Sequence, residues 1–368
     1  MKEIELDNNL ELQIIATGMH LSPEFGNTYQ QIEKDGFIIN KKIDILLSSD
    51  SEVGIAKSMG LGMIGFADAF NDLSPDLLVV LGDRFEIFSA VSVAMIAKIP
   101  VAHLSGGEAT EGLIDEPIRH SITKMSHLHF TATNEYRNRV IQLGEQPDRV
   151  FNVGGLGIDN INKLKLLTKS DFEKAIDFEL GEKNLLVTFH PVTLENSTSE
   201  TQFQELLDSI SELKNTKIIF TKANSDTDGR IINSMIDAYV AKHDNTIAFV
   251  SMGQLNYLSA LQFMDAVVGN SSSGLLEAPS FKIATIDIGD RQKGRIKADS
   301  VISCLPSKDS IGKAFNELYS KQFQSAVGKV ENPYGKDGAS EEIVRIIKDI
   351  SLGGIVKKSF YDFKGFSQ

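Results

Sequence analysis

Short apolar runs alternate with longer amphipathic segments along the first part of the chain. The runs are rich in Val, Ile and Leu, as expected of strands that are buried on both faces. Helix-like segments such as residues 54–70 and 86–97 separate them. This alternation predicts a parallel sheet with helices on both faces. The strand-like runs are residues 12–16, 43–47, 77–81, 100–104, 127–131 and 150–153.

The second part of the chain repeats the plan, with runs at residues 184–189, 216–220, 246–250, 266–268 and 283–288. The pattern predicts an α/β protein with two Rossmann-like, doubly wound domains. The expected limits are 1–165 and 166–338, joined through the polar stretch 160–182. Residues 339–368 should form a C-terminal helix, over 340–352, and a tail that can return to the first domain. The aromatic tail is expected to pack on the body, with a subunit contact as the alternative.

Composition narrows the class of protein. The 368 residues exceed the size at which a single core stops growing, which agrees with two domains. The net charge of −13 argues against nucleic acid or an anionic membrane as a partner. No apolar run approaches the length of a membrane span, and residues 1–9 are too polar for a secretory signal peptide. The single cysteine, Cys304, offers neither a disulfide nor a metal cluster, so a cytoplasmic protein is expected.

Three ionisable clusters, at residues 82–84, 103–108 and 115–120, follow the ends of strand-like runs in the first domain. The carboxyl ends of neighbouring parallel strands share one crevice, where α/β proteins bind ligands. Converging carboxylates there can acquire pKa values that are pushed apart, as one acid and one base require. The alternative covers Asp115 and Arg119 alone: Asp115 as the N-cap of a helix, with Arg119 four residues on as its ion-pair partner. The predicted site residues here are Asp83, Arg84, His103, Glu108, Asp115 and Arg119.

A serine-rich segment at residues 269–277 is the strongest motif of the second domain. It follows the strand-like run 266–268 and is expected to open a helix. Small residues let backbone N–H groups approach a phosphate, and a helix N-terminus adds partial positive charge. The alternative is a serine N-cap without a ligand. The predicted contacts are Ser271, Ser272 and Ser273 to phosphate and Glu277 to ribose hydroxyls.

Cationic and polar groups at other strand ends could complete an anion site. The loop 289–295 carries three cations, of which Arg291 is the best candidate to reach a diphosphate or a base. His190 and Asn224 each follow a strand-like run as well. The alternatives are a solvated charged turn for the loop and ordinary turn residues for His190 and Asn224.

Six segments together resemble the hydrolysing UDP-N-acetylglucosamine 2-epimerases of bacterial sialic-acid pathways, a branch of the UDP-N-acetylglucosamine 2-epimerase family. They span nearly the whole chain, which makes them more specific than a lone glycine-rich loop. The segments are ATGMH at 16–20, LGDRFEIF at 81–88, IRHSITKMS at 118–126, HPVT at 190–193, GNSSSGLLE at 269–277 and IGDRQKGR at 288–295.

The resemblance implies a glycosyltransferase-B-like fold with the nucleotide sugar in an inter-domain cleft. The implied reaction converts UDP-N-acetylglucosamine and water into N-acetylmannosamine and UDP, by anti elimination to a 2-acetamidoglucal and then hydration. It implies no cofactor and no metal, and we expect a homo-oligomer, a dimer or a tetramer. By position, Asp83 and Asp115 match acid/base carboxylates, and Arg119 and His190 match substrate or phosphate contacts. The uridine-diphosphate site is matched by Ser271, Ser272, Glu277 and Arg291.

Two departures from the family pattern qualify these expectations. Ser105 stands where many relatives carry a glutamate, so Glu108 or His103 is expected to take over that proton transfer. Relatives also begin with a further strand and a Gly-Ser/Thr-Arg loop ahead of the segment that matches residues 1–10. We therefore expect either a start that lies upstream or an incomplete first domain with little activity.

Other activities fit the same pattern. A hydrolysing 2-epimerase of a UDP-diacetamido-trideoxyhexose and a non-hydrolysing 2-epimerase share the fold and the first chemical step. A glycosyltransferase would need an acceptor and leave C2 unchanged. A nucleotide-sugar-binding protein without catalysis is the alternative from a different class.

Overall fold

The computed structural model describes residues 1–47, 51–192, 194, 198–224, 226 and 228–363. Thr193 of the HPVT segment and the tail residues beyond 363 lie outside the described residues. The chain divides into two compact units. Unit 1 is Met1–Glu108, Ile114–Asp159 and Lys336–Gln368, and unit 2 is Ala109–Leu113 and Asn160–Gly335.

Every strand pairing in the described chain is parallel, which confirms the predicted α/β fold class. Unit 1 has a two-stranded sheet, β1-β2, and a four-stranded sheet in the order β3-β4-β5-β6. Unit 2 has one six-stranded sheet in the order β12-β11-β10-β7-β8-β9. The strands are β1 (Ile15–Thr17), β2 (Lys41–Ile43), β3 (Leu78–Leu81), β4 (Val101–Leu104), β5 (Leu128–Thr131), β6 (Val150–Asn152), β7 (Lys183–Thr188), β8 (Thr216–Thr221), β9 (Thr246–Phe249), β10 (Ala266–Gly269), β11 (Ala284–Ile288) and β12 (Val301–Cys304).

Helices alternate with these strands. Short 3₁₀ turns lie at Gly18–Leu21, Pro23–Phe25, Pro147–Arg149 and Ala278–Phe281. The α-helices are α1 (Lys2–Glu5), α2 (Tyr29–Lys34), α3 (Glu52–Leu73), α4 (Phe85–Ala97), α5 (Asp115–Met125), α6 (Asn134–Gln142), α7 (Leu156–Lys163), α8 (Lys169–Ile176), α9 (Ser199–Ile210), α10 (Gly229–Val240), α11 (Gly253–Leu261), α12 (Ser273–Leu276), α13 (Lys308–Leu318), α14 (Lys321–Val327) and α15 (Ala339–Asp349). The predicted connection 160–182 therefore contains the end of α7 and the whole of α8.

The core of unit 1 forms where α3 and α4 pack on the sheet. Phe66 and Phe70 of α3 and Val91 of α4 are buried there together with Val80 and Val101. By length and hydropathy alone α3 could cross a membrane, but core helices pass the same test. The buried residues of α3 are Gly54, Ser58, Gly62, Phe66, Ala69 and Phe70.

The C-terminal helix α15 belongs to unit 1. Its apolar side, which includes Ile343 and Ile346, packs with Leu128 and Phe130 of β5. The carboxylate of Asp159 accepts hydrogen bonds of 2.6 to 3.0 Å from the backbone N–H groups of residues 338–340. These groups have no partner within the helix, so Asp159 satisfies the N-terminus of α15 from outside it.

Unit 2 buries its sheet between helices on both faces. Leu185, Val187 and Phe220 lie in one cluster, and Leu186 and Ile219 lie in the other. Successive residues of a strand point to opposite faces, which explains why the middle of β7, residues 185–187, is continuously apolar. This burial on both faces positions the strand ends that carry His190 and residues 269–277.

Candidate active site

In unit 1 the turn after β3 places Asp83 and Arg84. Gly82 ends the strand with φ +78°, and its N–H donates to Leu104 O at 3.0 Å. Arg84 is the N-cap residue of α4, its Nε lies 3.4 Å from Glu86 Oε2, and its guanidinium lies over the Phe85 ring. Asp83, 18% exposed, lies beyond the strand and can reach groups on α5.

Arg119 is the centre of the unit 1 site, because its guanidinium is only 1% exposed and joins three chain segments. Nη2 forms an ion pair with Asp83 Oδ2. Nη1 donates to Glu116 Oε2 at 2.9 Å and to the backbone oxygen of Glu108 at 3.0 Å. A guanidinium keeps its charge under all ordinary conditions, so both carboxylates have a permanent cation as their partner.

The first turn of α5 carries Asp115 and Glu116 next to Arg119. Asp115 is the first helical residue and Ile114 is the N-cap, so Asp115 does not hold the N-cap position that the alternative interpretation gave it. The observed i,i+3 ion pair of Arg119 runs to Glu116, and Glu116 Oε1 also accepts from His120 Nε2 at 3.0 Å. Acidic residues in the first turn are stabilised by the helix dipole, which explains why two carboxylates can lie there together.

His103 lies beneath the loop that follows β4 and is fully buried. Its Nε2–H donates to Gly82 O at 2.9 Å, and its Nδ1 accepts from Thr123 Oγ1 at 3.3 Å. Burial lowers the pKa of His103 to about 3. The ring is therefore neutral at neutral pH, with a hydrogen-bond partner on each nitrogen.

The loop above His103 carries Ser105 and Glu108. Ser105 has φ +65°, a left-handed conformation that is uncommon for a residue other than glycine. Glu108 is 4% exposed, and its backbone oxygen binds Arg119. Gly107 O accepts from Arg139 Nη1 at 2.6 Å. The loop is thus held by two arginines, and it keeps Glu108 next to the Arg119 cluster.

In unit 2 an asparagine fixes the position of His190. Asn270 Oδ1 accepts from the His190 N–H at 2.7 Å, and Asn270 Nδ2 donates to His190 O at 2.8 Å. His190 Nδ1 accepts from the N–H of Asn224 at 3.3 Å. Since Nδ1 accepts a hydrogen bond, the neutral ring carries its hydrogen on Nε2. Nε2 is the nitrogen that can donate to an anion.

The loop after β11 converges on the same asparagine. Arg291 Nη1 and Gln292 Nε2 both donate to Asn270 O, at 3.2 and 2.8 Å. Arg291 is 12% exposed, and its Nη2 lies 3.9 Å from Asp226 Oδ2. Arg291 and His190 therefore meet through Asn270, a residue that the sequence did not single out.

The serine-rich segment leads to a buried carboxyl. Tyr257 OH donates to Ser273 Oγ at 2.6 Å, and Ser273 also bonds Glu277. Burial raises the pKa of Glu277, and its Oε2 has no hydrogen-bond partner among the described residues. An acceptor of this kind suits a ligand hydroxyl.

The expected helix at the serine-rich segment is only one turn long, since α12 ends at Leu276 and a 3₁₀ turn follows. Ser272 is its N-cap residue but makes no side-chain cap hydrogen bond. The Ser271 hydroxyl accepts from the N–H of Ser273 at 3.4 Å. Any phosphate contact here depends on these serines and N–H groups more than on a helix dipole.

Several members of these clusters were not predicted as site residues. Glu116, His120 and Thr123 lie in the segment 115–126, and their spacing on α5 could have indicated them. Asn270 and Gln292 act through contacts with residues that are distant in the chain. Among the described residues no group of His, Cys, Asp and Glu could hold a metal ion.

Comparison with known proteins places these clusters in a family context. The family profile described as UDP-N-acetylglucosamine 2-epimerase matches residues 2–348. The GDP/UDP-N,N'-diacetylbacillosamine 2-epimerase (hydrolyzing) of Campylobacter jejuni is 44% identical, over 98% of this chain and 94% of the relative. Polysialic acid biosynthesis protein P7 of Escherichia coli is 42% identical, over 97% and 90%.

A solved structure confirms the two-domain, glycosyltransferase-B-like fold. The UDP-GlcNAc 2-epimerase of Neisseria meningitidis, bound to UDP-GlcNAc, matches with a TM-score of 0.80 over 95% of each chain. The sequences are 20% identical, so this likeness concerns the fold alone.

Proposed function

Because the chain belongs to the UDP-N-acetylglucosamine 2-epimerase family, we propose that it hydrolyses a UDP-linked 2-acetamido sugar and inverts C2. The products are UDP and the free 2-epimeric sugar. The observation that carries this proposal is the cluster of carboxylates around the buried Arg119 in unit 1. The full-length match to a relative named as hydrolysing supports the water-consuming outcome.

The reaction needs three proton transfers. In the first step a base removes the C2 proton, the C1–O bond to UDP breaks, and a glucal with a C1–C2 double bond forms. In the second step water adds its oxygen to C1 and gives one proton to a base, while an acid returns a proton to the other face of C2. We assign Asp83 and Asp115 to these acid and base roles. General acid and base groups each contribute roughly 10²- to 10⁴-fold.

Ser105 stands where many relatives carry a glutamate, and Glu108 and His103 are the two candidates to perform the proton transfer of that glutamate. We propose Glu108. Both ring nitrogens of His103 have partners within unit 1, and its low pKa keeps the ring neutral. His103 is better suited to hold Gly82 and α5 in place. Arg119, by contrast, is proposed to hold Asp83 and Glu116 ionised, and Arg84 to contact substrate.

Binding of the nucleotide is proposed for unit 2. His190 Nε2–H and Arg291 are proposed to contact the diphosphate, with the serines at 271–273 and Asn224 as further donors. Glu277 Oε2, which has no hydrogen-bond partner among the described residues, can accept from ribose hydroxyls. These groups are the donors and acceptors that a nucleoside diphosphate requires.

Two sugars are candidates for the substrate. UDP-N-acetylglucosamine would give N-acetylmannosamine, a sialic acid precursor, as the resemblance to the sialic-acid pathway enzymes implies. The UDP-diacetamido-trideoxy sugar is the second candidate, because the Campylobacter jejuni relative carries that activity in its name. The two substrates differ at C4 and C6, so the comparison of their kcat/KM values decides between them.

The test is incubation with each UDP-sugar in D₂O, with UDP release measured and the sugar identified by NMR. We expect UDP, the free 2-epimer, and deuterium at C2. A UDP-linked epimer without free sugar would show a non-hydrolysing enzyme. UDP binding without turnover of either sugar would contradict the proposal in favour of a binding protein.

We extend the proposal to a cytoplasmic homo-oligomer. The single thiol, Cys304, has a pKa raised to about 12, chiefly by burial, which suits a thiol that stays unreactive. Homodimers are the commonest assembly. Light scattering on the purified protein measures the oligomeric state.

A further inference from the structure

A lysine of the C-terminal tail binds the end of helix α5. Lys358 Nζ donates to the backbone oxygens of Lys124 and Ser126, at 2.9 and 2.5 Å. It also lies 2.6 Å from Glu145 Oε2. An ammonium has three N–H donors, so each donor of Lys358 has an acceptor. The last carbonyls of a helix lack intrahelical partners and form its negative end, where a cation is stabilising.

The carboxylate that holds Lys358 is itself a buried junction. Glu145, 2% exposed, accepts from Lys124 Nζ at 2.6 Å and from His129 Nε2 at 3.0 Å. Burial opposes its ionisation, but the hydrogen bonds from His129, Lys124 and Lys358 lower the pKa of Glu145 to about 2. Glu145 therefore keeps its negative charge, and with it its ion pair to Lys358 of the tail, at neutral pH.

The residues after Lys358 continue the attachment. The Tyr361 N–H donates to Gly144 O at 2.9 Å. The Phe360 ring covers Gly144 so closely that a Cβ there would lie 2.2 Å from the ring, and Lys124 Nζ lies 4.9 Å from its centroid. The tail thus follows a defined path over the C-terminal end of α5 and the loop after α6.

Helix α5 is the element that carries the reactive cluster at its other end. Arg119 and Glu116 lie in its first turns, and Thr123, near its end, bonds His103. A helix of eleven residues is only about 16 Å long. A shift at the C-terminal end therefore moves Arg119 relative to Asp83 on the β3 turn.

We infer that Lys358 is a positioning residue of the reaction, which fixes α5 through Glu145 and thereby holds the Arg119 cluster against Asp83. This inference rests on the proposed function, since it assigns the reaction to that cluster. It predicts that loosening the tail slows the chemical step and leaves nucleotide binding in unit 2 unchanged. A displacement of about 1 Å at a catalytic group can cost a hundredfold in rate.

The experiment compares Lys358→Met, Lys358→Arg and Lys357→Met in the full chain. Lys357 is the matched control, because it is an exposed neighbouring lysine that loses the same charge. For K358M we expect kcat to fall about tenfold, with KM and the Kd for UDP changed less than about twofold. K358R should recover most of kcat, since its guanidinium can bind the carboxylate and the carbonyls, and K357M should equal the wild type. Equal kcat in K358M and K357M, or no recovery in K358R, would overturn the inference.

A second variant and an activity-independent measurement complete the test. Phe360→Ala loosens the same tail and removes no charge, and we expect about threefold lower kcat. Hydrogen exchange of the α5 amides should be faster in K358M and F360A than in K357M, and unchanged exchange in both would refute the positioning role. A wild-type protein without turnover would contradict the proposed function alone, because the exchange measurement still decides whether Lys358 fixes α5.

Discussion

At the residue scale, Arg119 is a single buried cation that serves two carboxylates and a backbone oxygen. Replacement by methionine fills similar space but leaves Asp83 and Glu116 without their partner. We expect Arg119→Met to lower the free energy of unfolding by about 3 kcal/mol, as when one member of a buried ion pair is removed. Turnover should fall by about a hundredfold or more. A urea melt and the UDP-release assay measure the two effects.

The control for this variant is Arg345→Met. Arg345 pairs with Asp349 on the exposed side of α15, where both side chains are about two-thirds exposed, at 64% and 68%. Exposed pairs of this kind contribute little, so R345M should match the wild type in both assays. An R119M protein that retains wild-type turnover would contradict the assignment of the site.

Asn270 provides the residue-scale prediction for unit 2. Asn270→Ala removes two hydrogen bonds to the His190 backbone, each worth about 1 kcal/mol. Because His190 then loses its fixed position, we expect UDP affinity to fall about tenfold, which is about 1.4 kcal/mol. Isothermal titration calorimetry with UDP checks this value.

Asn184 is the matched control for Asn270. It lies at the start of β7 and makes the same pair of bonds, to the N–H and the oxygen of Gly181. Asn184→Ala should therefore cost comparable stability and leave UDP binding intact. If both variants bind UDP equally well, Asn270 has no role in positioning His190.

The sequence could indicate Asp83 and Arg119, because Asp83 follows the end of a recognisable strand and Arg119 follows the start of a recognisable helix. It could not show that Arg119 forms ion pairs with Glu116 and Asp83, because ion pairing depends on how α5 packs beside β3. Asn270 was missed for the same reason: its partner His190 lies 80 residues earlier in the chain. Residue type and position were predictable, whereas partners required the tertiary structure.

At the element scale, most strands were predictable because parallel strands buried on both faces are rich in apolar residues. The runs at 12–16 and 43–47 overlap β1 and β2 only in part. The run at 184–189 became β7, and 283–288 became β11. Strand β12 was missed, since its four residues include Ser303 and Cys304 and it lies at the edge of the sheet. Helix α12 was overestimated, because Pro279 belongs to the 3₁₀ turn that follows it.

The turn after β10 gives a prediction at this scale. Gly269 has φ +130°, and a Cβ there would lie 1.9 Å from Thr188 O. Backbone strain and this clash should make Gly269→Ala less stable by roughly 3 kcal/mol. UDP binding should weaken as well, because Asn270 follows directly in the chain. Chemical denaturation and calorimetry with UDP test both effects.

Gly312→Ala is the contrasting substitution. Gly312 lies inside α13, and nothing lies within 4 Å of a Cβ at that position. Alanine should stabilise the helix by up to about 1 kcal/mol. Equal stabilities of G269A and G312A would show that the close approach of Gly269 to Thr188 is not required.

At the scale of the whole molecule, the buried titratable groups of the two units have opposite effects on how stability depends on pH. Burial lowers the pKa of His103 to about 3, that of His127 to about 4, and that of His129, all in unit 1. His127 Nδ1 accepts from the Val101 N–H, so its protonation would break that bond. In unit 2, burial raises the pKa of Asp265, Glu277 and Asp287.

Linkage turns this division into a prediction about acid. As the pH falls below about 6.5, the histidines become protonated in the unfolded chain but stay neutral in the folded protein. Unit 1 therefore loses stability from about pH 6.5 towards pH 3. Glu145 adds to this loss between pH 4.5 and about 2, because its pKa is lowered in the folded state. The buried carboxyls of unit 2 act in the opposite direction, since falling pH neutralises charges whose burial is costly. Lower pH should therefore weaken unit 1 before unit 2.

Calorimetry at pH 7.5 and 5.0, with and without UDP, tests the order of unfolding. At pH 5.0 we expect the free energy of unfolding of unit 1 to fall by roughly 4 kcal/mol, about 2 kcal/mol each from His103 and His127, while that of unit 2 changes little. Added UDP should raise the unfolding temperature of unit 2, because a ligand stabilises the unit that binds it. One result would contradict this prediction: UDP raises the same transition that acid lowers most. Either the nucleotide then does not bind unit 2, or the histidines of unit 1 do not control the stability of unit 1. H103N separates these cases, since loss of one of the three buried imidazoles should reduce the pH dependence of unit 1 and leave that of unit 2 unchanged.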